Sequence, residues 1–415
     1  MSPRLLLAGL VALAAAGCGG GEEAKQADKP EYSREAQEAL DEAEEGKPDL
    51  QSDEASEIGR LLRERARALE TADIRALATT ATGRQRARDR SNARRVKRLN
   101  VERIRFVPED VQTDGNQAKL TAAMSYRVPG MDRPFRIGRR LTARKSSDGW
   151  RISRESARGE PLPWEVAPFK VTRAPHVVLL TPPGVDVSPL RTGLVAAYRE
   201  IRRDLPARDL PRSVLVIGAR DEAQTERLAG RIAGGILALA NVRVIYRSAP
   251  AFAVRRVLAQ RMIVVSSRWR MLPEHERRAT LVHEMTHTAL NADTSGRTPP
   301  WLVEGAAMHV AGENRAEEAR LLAAGGGPSK TLRELCKPNS IFRLSGPEQG
   351  AAYAAASGAA EAIVARRGTK GLFRLYDAFN DSTIRGRTCA ATTDRALRRT
   401  LDMSLAELET AVAGG

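Results

Sequence analysis

The hydrophobic positions in the first part of the chain recur at intervals of three and four residues, as they do on one face of a helix. This spacing predicts a helix from Ala55 to Leu69 and a second helix at Ile74–Thr80. Farther along, apolar and polar residues alternate with a period of two, which is typical of strands. The predicted strands are Val101–Val107, Gln117–Arg127, Phe135–Ser146 and Trp150–Glu155. Helices followed by antiparallel strands predict a small α+β domain at residues 57–160.

A proline-rich stretch, Gly159–Pro168, predicts the end of this domain. Strand and helix patterns then alternate, and helical patterns alone follow. The predicted strands are His176–Leu180, Ser213–Ile217, Val242–Tyr246 and Met262–Ser266. The predicted helices are Leu190–Leu205, Glu222–Arg231, a long helix from Pro273, Leu302–Val310, Ala316–Ala324, Ala351–Arg366, Leu372–Phe379 and Leu405–Val412. We therefore expect an α+β fold, in which a small mixed sheet packs on a helical half within a second domain at residues 170–415.

Residues 1–18 have the pattern of an export signal. Arg4 supplies a positive charge, and Leu5–Ala16 is an apolar run too short to span a bilayer. The segment Ala15-Ala16-Gly17-Cys18 resembles a bacterial lipobox, whose cysteine is diacylated and becomes the mature N-terminus. This resemblance implies a lipoprotein anchored through Cys18 to the extracytoplasmic face of the cell membrane. The alternative is an ordinary secretory signal in which Cys18 is incidental.

Charge is distributed unevenly along the chain. Residues 19–56 hold 13 acidic and 4 basic residues and almost nothing apolar, so they are predicted to form a flexible tether. The whole chain nevertheless carries a net charge of +16. Because export separates the protein from nucleic acid, we expect no nucleic-acid partner. The basic cluster at Arg84–Arg105 is then either a solvated face or a contact for anionic lipid or wall polymers.

Two cysteines remain besides the one in the lipobox segment. Cys336 and Cys389 both lie in the C-terminal part of the chain. In an exported protein such a pair predicts a disulfide bond within one domain. Two separate buried thiols are the alternative.

The strongest chemical signal is the segment His283-Glu284-Met285-Thr286-His287. On a helix, residues four apart lie on one face, so the two imidazoles would converge on one metal ion with Glu284 beside them. A catalytic zinc site needs a third protein ligand and leaves the fourth position for water. Glu304 lies shortly after a double proline that predicts the start of the next helix.

The motif ending at His287 and the segment PPWLVEGAA at residues 299–307 together resemble the gluzincin branch of the thermolysin-like metallopeptidases. The resemblance covers roughly residues 170–380. It implies that His283, His287 and Glu304 bind one Zn²⁺ ion and that the substrate is a peptide or protein. It also implies that Glu284 is the general base, which takes a proton from water and passes it to the leaving amine.

Three further expectations concern the surroundings of this site. Many gluzincins have an Asp four residues after the glutamate ligand, where it orients a metal-bound histidine, but here that position is Met308. Gly305 is expected to let its helix pack closely on the helix that carries His283 and His287. The strand Met262–Ser266 is expected at the sheet edge above the cleft, where a substrate backbone could pair with it.

Other candidates for the chemistry are weaker. Tyr353 is a candidate to stabilise the oxyanion of the transition state, although a core tyrosine on an Ala-rich helix fits its surroundings as well. His309 lies five residues after Glu304 and so on a different helical face, which favours a surface or supporting position. His275 and His176 are expected to be structural or exposed.

The order of elements in residues 57–160, ending in a strand that contains DGWRI, resembles the nuclear-transport-factor-2-like cone fold. The sequence as a whole predicts a zinc metallopeptidase domain behind this small domain, tethered outside the membrane. The main alternative is a catalytically inactive lipoprotein that keeps the peptidase fold as a binding or scaffold protein.

Overall fold

The structure is a computed structural model, and it describes residues 53–208, 210–229, 237–246, 254–315 and 329–414. The fold is α+β with two separate sheets, which confirms the predicted fold class. The predicted signal with Cys18, nearly all of the predicted tether and the helix predicted at Ala316–Ala324 lie outside the described residues. Among the helices that are described, none combines the length and the apolar character needed to cross a membrane.

The N-terminal unit consists of three helices and a four-stranded antiparallel sheet in the order β1-β2-β3-β4. The helices are α1 (Asp53–Glu70), α2 (Ile74–Thr79) and α3 (Gly83–Leu99). The strands are β1 (Glu102–Asp114), β2 (Gln117–Arg127), β3 (Phe135–Ser146) and β4 (Gly149–Arg158). Helix α1 thus begins inside the segment predicted as tether, with two acidic residues in its first turn, where the helix dipole favours negative charge.

Helix α3 is not predicted by the hydrophobic pattern, because its buried face is partly polar. That face consists of Gln85, Asp89, Ala93, Val96 and Leu99. Arg65 of α1 donates from two nitrogens to the two carboxylate oxygens of Asp89, each at 2.6 Å. This buried ion pair makes an acidic residue acceptable on the core side of a helix, and sequence periodicity alone cannot indicate it.

Asp89 belongs to a buried charge network that joins the helices to the sheet. Glu155 of β4 accepts hydrogen bonds from Arg65 at 2.6 Å and from Arg139 of β3 at 2.9 Å. Arg139 also donates to Glu165 at 2.5 Å. Burial alone would raise the pKa of Glu155, but the two arginines outweigh it and lower the pKa to about 2. The contribution of Glu155 to the network is therefore present only while its carboxyl group is ionised.

This network predicts an acid-dependent loss of stability. The stabilising effect of Glu155 is complete above its ordinary pKa of 4.5 and is lost as the pH falls towards about 2. The Glu155→Gln variant should lack this acid dependence and should be about 3–5 kcal/mol less stable near neutral pH, since it removes the carboxylate that two buried arginines share. Urea unfolding across the acid range measures both effects.

As a control, Glu102→Gln breaks a part-exposed ion pair with Arg127 and should cost at most about 1 kcal/mol. Equal losses in the two variants would contradict the prediction.

The second unit contains a five-stranded mixed sheet in the order β5-β6-β7-β9-β8. The strands are β5 (Lys170–Ala174), β6 (Val177–Thr181), β7 (Val214–Ala219), β8 (Ala238–Tyr246) and β9 (Val254–Val265). The three inner strands are parallel, and β5 and β8 pair antiparallel at the two ends. The sheet is preceded by α4 (Pro163–Val166) and accompanied by α5 (Ser188–Asp204) and α6 (Glu222–Ala229). The short, half-exposed strand β5 has no apolar run and is not predicted.

The part of the chain described after the sheet contains helices and no further strand. They are α7 (Ser266–Met271), α8 (Glu274–Leu290), α9 (Pro300–Ala311), α10 (Gly346–Ala378), α11 (Cys389–Leu401) and α12 (Leu405–Gly414). The two helices predicted within α10 are joined across a kink at Gly368, whose φ of 67° suits glycine. A disulfide links Cys336 to Cys389, with their Cα atoms 5.9 Å apart.

The two units share a continuous hydrophobic core. One buried cluster includes Met124 of β2 and Ile263 of β9. Trp164, from the segment predicted as the domain boundary, is 1% exposed and packs edge-on against Tyr126. Since the boundary segment is itself part of the core, the N-terminal unit and the second sheet form one packed body.

Candidate metal centre

Helix α8 presents two histidines on one face because its other side is fixed in the core. Leu281 and Met285 belong to the buried cluster that also contains residues of β6 and β7. His283 and His287, one helical turn apart, are both buried, with ring centroids 4.8 Å apart and ring planes at 70°. The helix thus places the two imidazoles together, as their spacing predicts.

Helix α9 brings Glu304 to the same place. Its start at Pro300 follows the double proline, as predicted, and Glu304 is fully buried. Gly305 acts differently from expectation: a Cβ there would collide with the carbonyl oxygen of Ala356 on α10, and would lie 3.1 Å from the Cβ of Ala360. The glycine therefore permits close packing of α9 on α10, rather than on α8.

The ligand atoms of the three residues converge. Oε2 of Glu304 lies 3.4 Å from Nε2 of His283 and 3.7 Å from Nε2 of His287. All three ligand atoms lie within 4.8 Å of one another. Tetrahedral Zn²⁺ with bonds of about 2.0–2.1 Å would set its ligand atoms about 3.4 Å apart. The spacing of the triad therefore fits a metal ion of this size.

Hydrogen bonding gives a second test of the fit. Nε2 of His283, both ring nitrogens of His287, and both carboxylate oxygens of Glu284 and Glu304 are buried without a hydrogen-bond partner. Native proteins rarely leave so many polar atoms together without a partner, because each costs free energy. Two imidazoles and a carboxylate are also a donor set that catalytic zinc sites use. The residues present thus fit a metal ion.

The surroundings shift the pKa values of the four residues in different directions. Burial lowers the pKa of His287, whereas for His283 the carboxylates of Glu313 and Glu304 outweigh burial and raise the pKa. Burial would raise the pKa of Glu304, but the two histidines outweigh it and lower the pKa. Burial, reinforced by the negative charges of Glu304 and Glu313, raises the pKa of Glu284 to about 8. Glu304 is therefore held as an anion, and Glu284 as a group that readily takes up a proton near neutral pH.

Glu313 is a site residue that the sequence analysis misses. Its Oε1 lies 3.3 Å from Nδ1 of His283, on the side of the ring away from Glu304. Helix α9 ends at Gly312, whose φ is 74°, and Ser357 of α10 donates to the backbone carbonyl of the next residue, Glu313, at 3.2 Å. Metal-bound histidines commonly donate their second N–H to a carboxylate in this way. Glu313 is therefore placed to accept a hydrogen bond from Nδ1 of His283.

Removing this carboxylate should weaken metal binding. We expect Glu313→Gln to raise the dissociation constant for zinc about 10–100-fold, because His283 loses the anion that orients its ring and increases its basicity. Competition with a zinc-binding dye measures the constant. Glu361→Gln is a matched control, since Glu361 lies 2.9 Å from Nδ1 of His309 rather than beside a ligand of the triad. Wild-type affinity in Glu313→Gln would show that this contact has no effect on the metal.

The strand expected above the cleft is a different one in the structure. Residues 262–265 belong to β9, which is an inner strand, and β8 lies at that end of the sheet. The backbone of Ala240 on β8 is close enough to Glu284 to lower its pKa against the larger effect of burial. The sheet edge beside the site is therefore β8, and the prediction for Met262–Ser266 is wrong.

The structure also places the other candidate residues. Tyr353 is 2% exposed and packs within the helical core, and its catalytic role stays a prediction. Both ring nitrogens of His309 are engaged, by Glu361 and by Thr369 at 3.1 Å. His275 has an 82% exposed side chain, and His176 stacks on Tyr198.

Comparisons with known proteins assign neither a family nor a function to this chain. No family model matches the sequence, and no curated protein matches it. Among solved structures, a protein of unknown function from Mycobacterium tuberculosis matches with 19% identity, and the match covers 26% of this chain and 72% of that chain. Its TM-score is 0.22, and a likeness at this level supports no conclusion about fold or function.

Proposed function

We propose that the protein is a zinc-dependent peptidase that hydrolyses peptide bonds, with His283, His287 and Glu304 as the metal ligands. The observation that carries the proposal is the buried cluster of imidazole and carboxylate atoms that lack hydrogen-bond partners and have the spacing of zinc ligands. When bound, zinc would polarise the scissile carbonyl group and lower the pKa of water. The identification with gluzincins is part of the proposal and rests on the two sequence motifs.

Glu284 is the general base in this proposal. It follows His283 directly in α8, is fully buried, and has the backbone of Ala240 beside it. A carboxylate with a pKa raised to about 8 accepts a proton readily at neutral pH and can return it to a leaving amine. A bound dication would favour its ionised form, so the occupied centre would hold Glu284 ready to accept.

Strand β8 supplies a surface for the substrate backbone. It pairs only on the β9 side among the described strands, which leaves the opposite backbone edge next to Glu284. An extended peptide that added itself to this edge would lie beside the general base. Anchoring through Cys18 and a cone-like fold for residues 57–160 belong to the same proposal, as features of an extracytoplasmic lipoprotein.

The proposal is tested with the purified full-length chain. Elemental analysis should find close to one zinc per chain, and an unbiased peptide library should be cleaved. Cleavage should stop when a chelator removes the metal and return when zinc is added. Stoichiometric zinc without any cleavage would favour the inactive scaffold instead. Absence of bound metal under zinc-replete conditions would reject the centre itself.

A further inference from the structure

The outer surface of α3 carries an unusual concentration of positive charge. The helix has eight basic residues and one acidic residue, Asp89, which is buried. Five of the basic side chains are exposed and form no ion pair with the described residues, and we call them the basic face: Arg84, Arg90, Arg94, Lys97 and Arg98. The remaining three donate to backbone carbonyls of the protein.

The charges of the basic face are not balanced from within the unit. Glu155 and Glu165, the carboxylates of the adjacent buried network, are directed inward to Arg65 and Arg139. On the face itself, Arg90, Arg94 and Arg98 follow one another at four-residue spacing, an arrangement in which like charges destabilise a helix. The face therefore works against the stability of α3, which suggests that its charge serves an external partner.

We propose that the basic face of α3 binds the anionic headgroup surface of a phospholipid membrane. A helix of 17 residues is about 25 Å long, and its cations spread around the outer half of its circumference, so they match an extended negative surface rather than a single anion. Among the described residues, Met271 is the one large hydrophobic side chain that is strongly exposed. Binding would therefore occur at the level of the headgroups, without insertion of side chains into the acyl region.

The position of α3 in the chain supports this partner. Helix α1 is the first described element after the predicted anchor at Cys18. It packs against α3, and its Arg65 donates to Asp89 of that helix. An anchored chain would keep the basic face within reach of the membrane, and each Lys or Arg contributes to attraction once it lies within about one Debye length of the surface. The proposal concerns orientation at the membrane and does not depend on peptidase activity.

The test compares binding of the full-length chain to vesicles of phosphatidylcholine alone and to vesicles that also contain phosphatidylglycerol. A lipid anchor contributes to the binding of both kinds of vesicle. The ratio of the two partition coefficients therefore isolates the electrostatic contribution to binding. The wild-type chain should prefer the anionic vesicles by at least about tenfold at 0.1 M salt, and the preference should fall steeply at 0.5 M salt. The variant Arg84→Gln/Arg90→Gln/Arg94→Gln/Arg98→Gln should bring the ratio close to one.

A second variant controls for net charge. Arg343→Gln/Arg374→Gln/Arg387→Gln/Arg395→Gln removes four exposed arginines from the helical half and should keep most of the preference. The melting temperature of the α3 variant should equal or exceed that of the wild type, because repulsion within the helix is relieved.

Four results would overturn the proposal: no preference in the wild type, a preserved preference in the α3 variant, equal losses in the two variants, or tighter binding to a DNA duplex than to anionic vesicles. If a preference arises only after residues 22–49 are deleted, the acidic segment of the chain occupies the face instead, and the membrane proposal is wrong as well.

Discussion

Replacing Glu284 with Gln is expected to lower kcat by about 10²–10⁴-fold while zinc remains bound. The substitution keeps the size of the side chain and leaves His283, His287 and Glu304 untouched. It removes the group that takes the proton from water, and the described site offers no second unpartnered carboxylate besides the ligand Glu304. Steady-state cleavage of a peptide from the library, measured beside zinc content, tests this.

Glu276→Gln is the matched control, since Glu276 lies in the first turn of the same helix with a 43% exposed side chain. It should cleave at the wild-type rate. Wild-type cleavage by Glu284→Gln would place the activity at another site or in a contaminant.

The metal-free protein offers an independent readout of the same residue. Because the folded-state pKa of Glu284 is raised from 4.5 to about 8, the folded chain holds its proton more tightly than the unfolded chain does. Its contribution is most favourable below pH 4.5 and is lost as the pH rises through about 8. The chelated Glu284→Gln protein should therefore lose less stability across this interval than the chelated wild type. Identical pH profiles would show that Glu284 is not a buried, protonated carboxyl group.

The double substitution His283→Ala/His287→Ala is expected to reduce bound zinc from about one per chain to near zero. Two of three ligands are removed, and Glu304 alone is too weak a site to retain the ion. The variant should also lose the stabilisation that saturating zinc gives the folded wild type, which is about 2.7 kcal/mol at a hundredfold excess over the dissociation constant.

The other histidines provide the control for this pair. His275→Ala/His309→Ala removes one exposed imidazole and one that is engaged by Glu361, and it should retain zinc. Elemental analysis and thermal unfolding with and without zinc measure both variants. Stoichiometric zinc in the His283→Ala/His287→Ala protein would reject the assignment of the centre.

Much of the local structure follows from the sequence, because it depends on contacts between near neighbours. Strands β2 and β3 have the bounds that alternation predicts, Gln117–Arg127 and Phe135–Ser146. The approach of His283 to His287 also needs only a helix, since a spacing of four residues sets their separation. Where α3 departs from prediction, the cause is distant in sequence: Arg65 neutralises Asp89 on its buried face.

Only the tertiary structure decides what surrounds the metal ligands. Strand order makes β8 rather than β9 the sheet edge beside Glu284, and long-range pairing sets that order. Glu313 lies beside His283 just after the left-handed C-cap Gly312, where Ser357, 44 residues farther along, holds its backbone carbonyl. Gly305 contacts α10 because two helices that are distant in sequence pack together. Residues four apart on a helix meet whatever the rest of the chain does, whereas these contacts require separate elements to pack, and packing depends on the whole core.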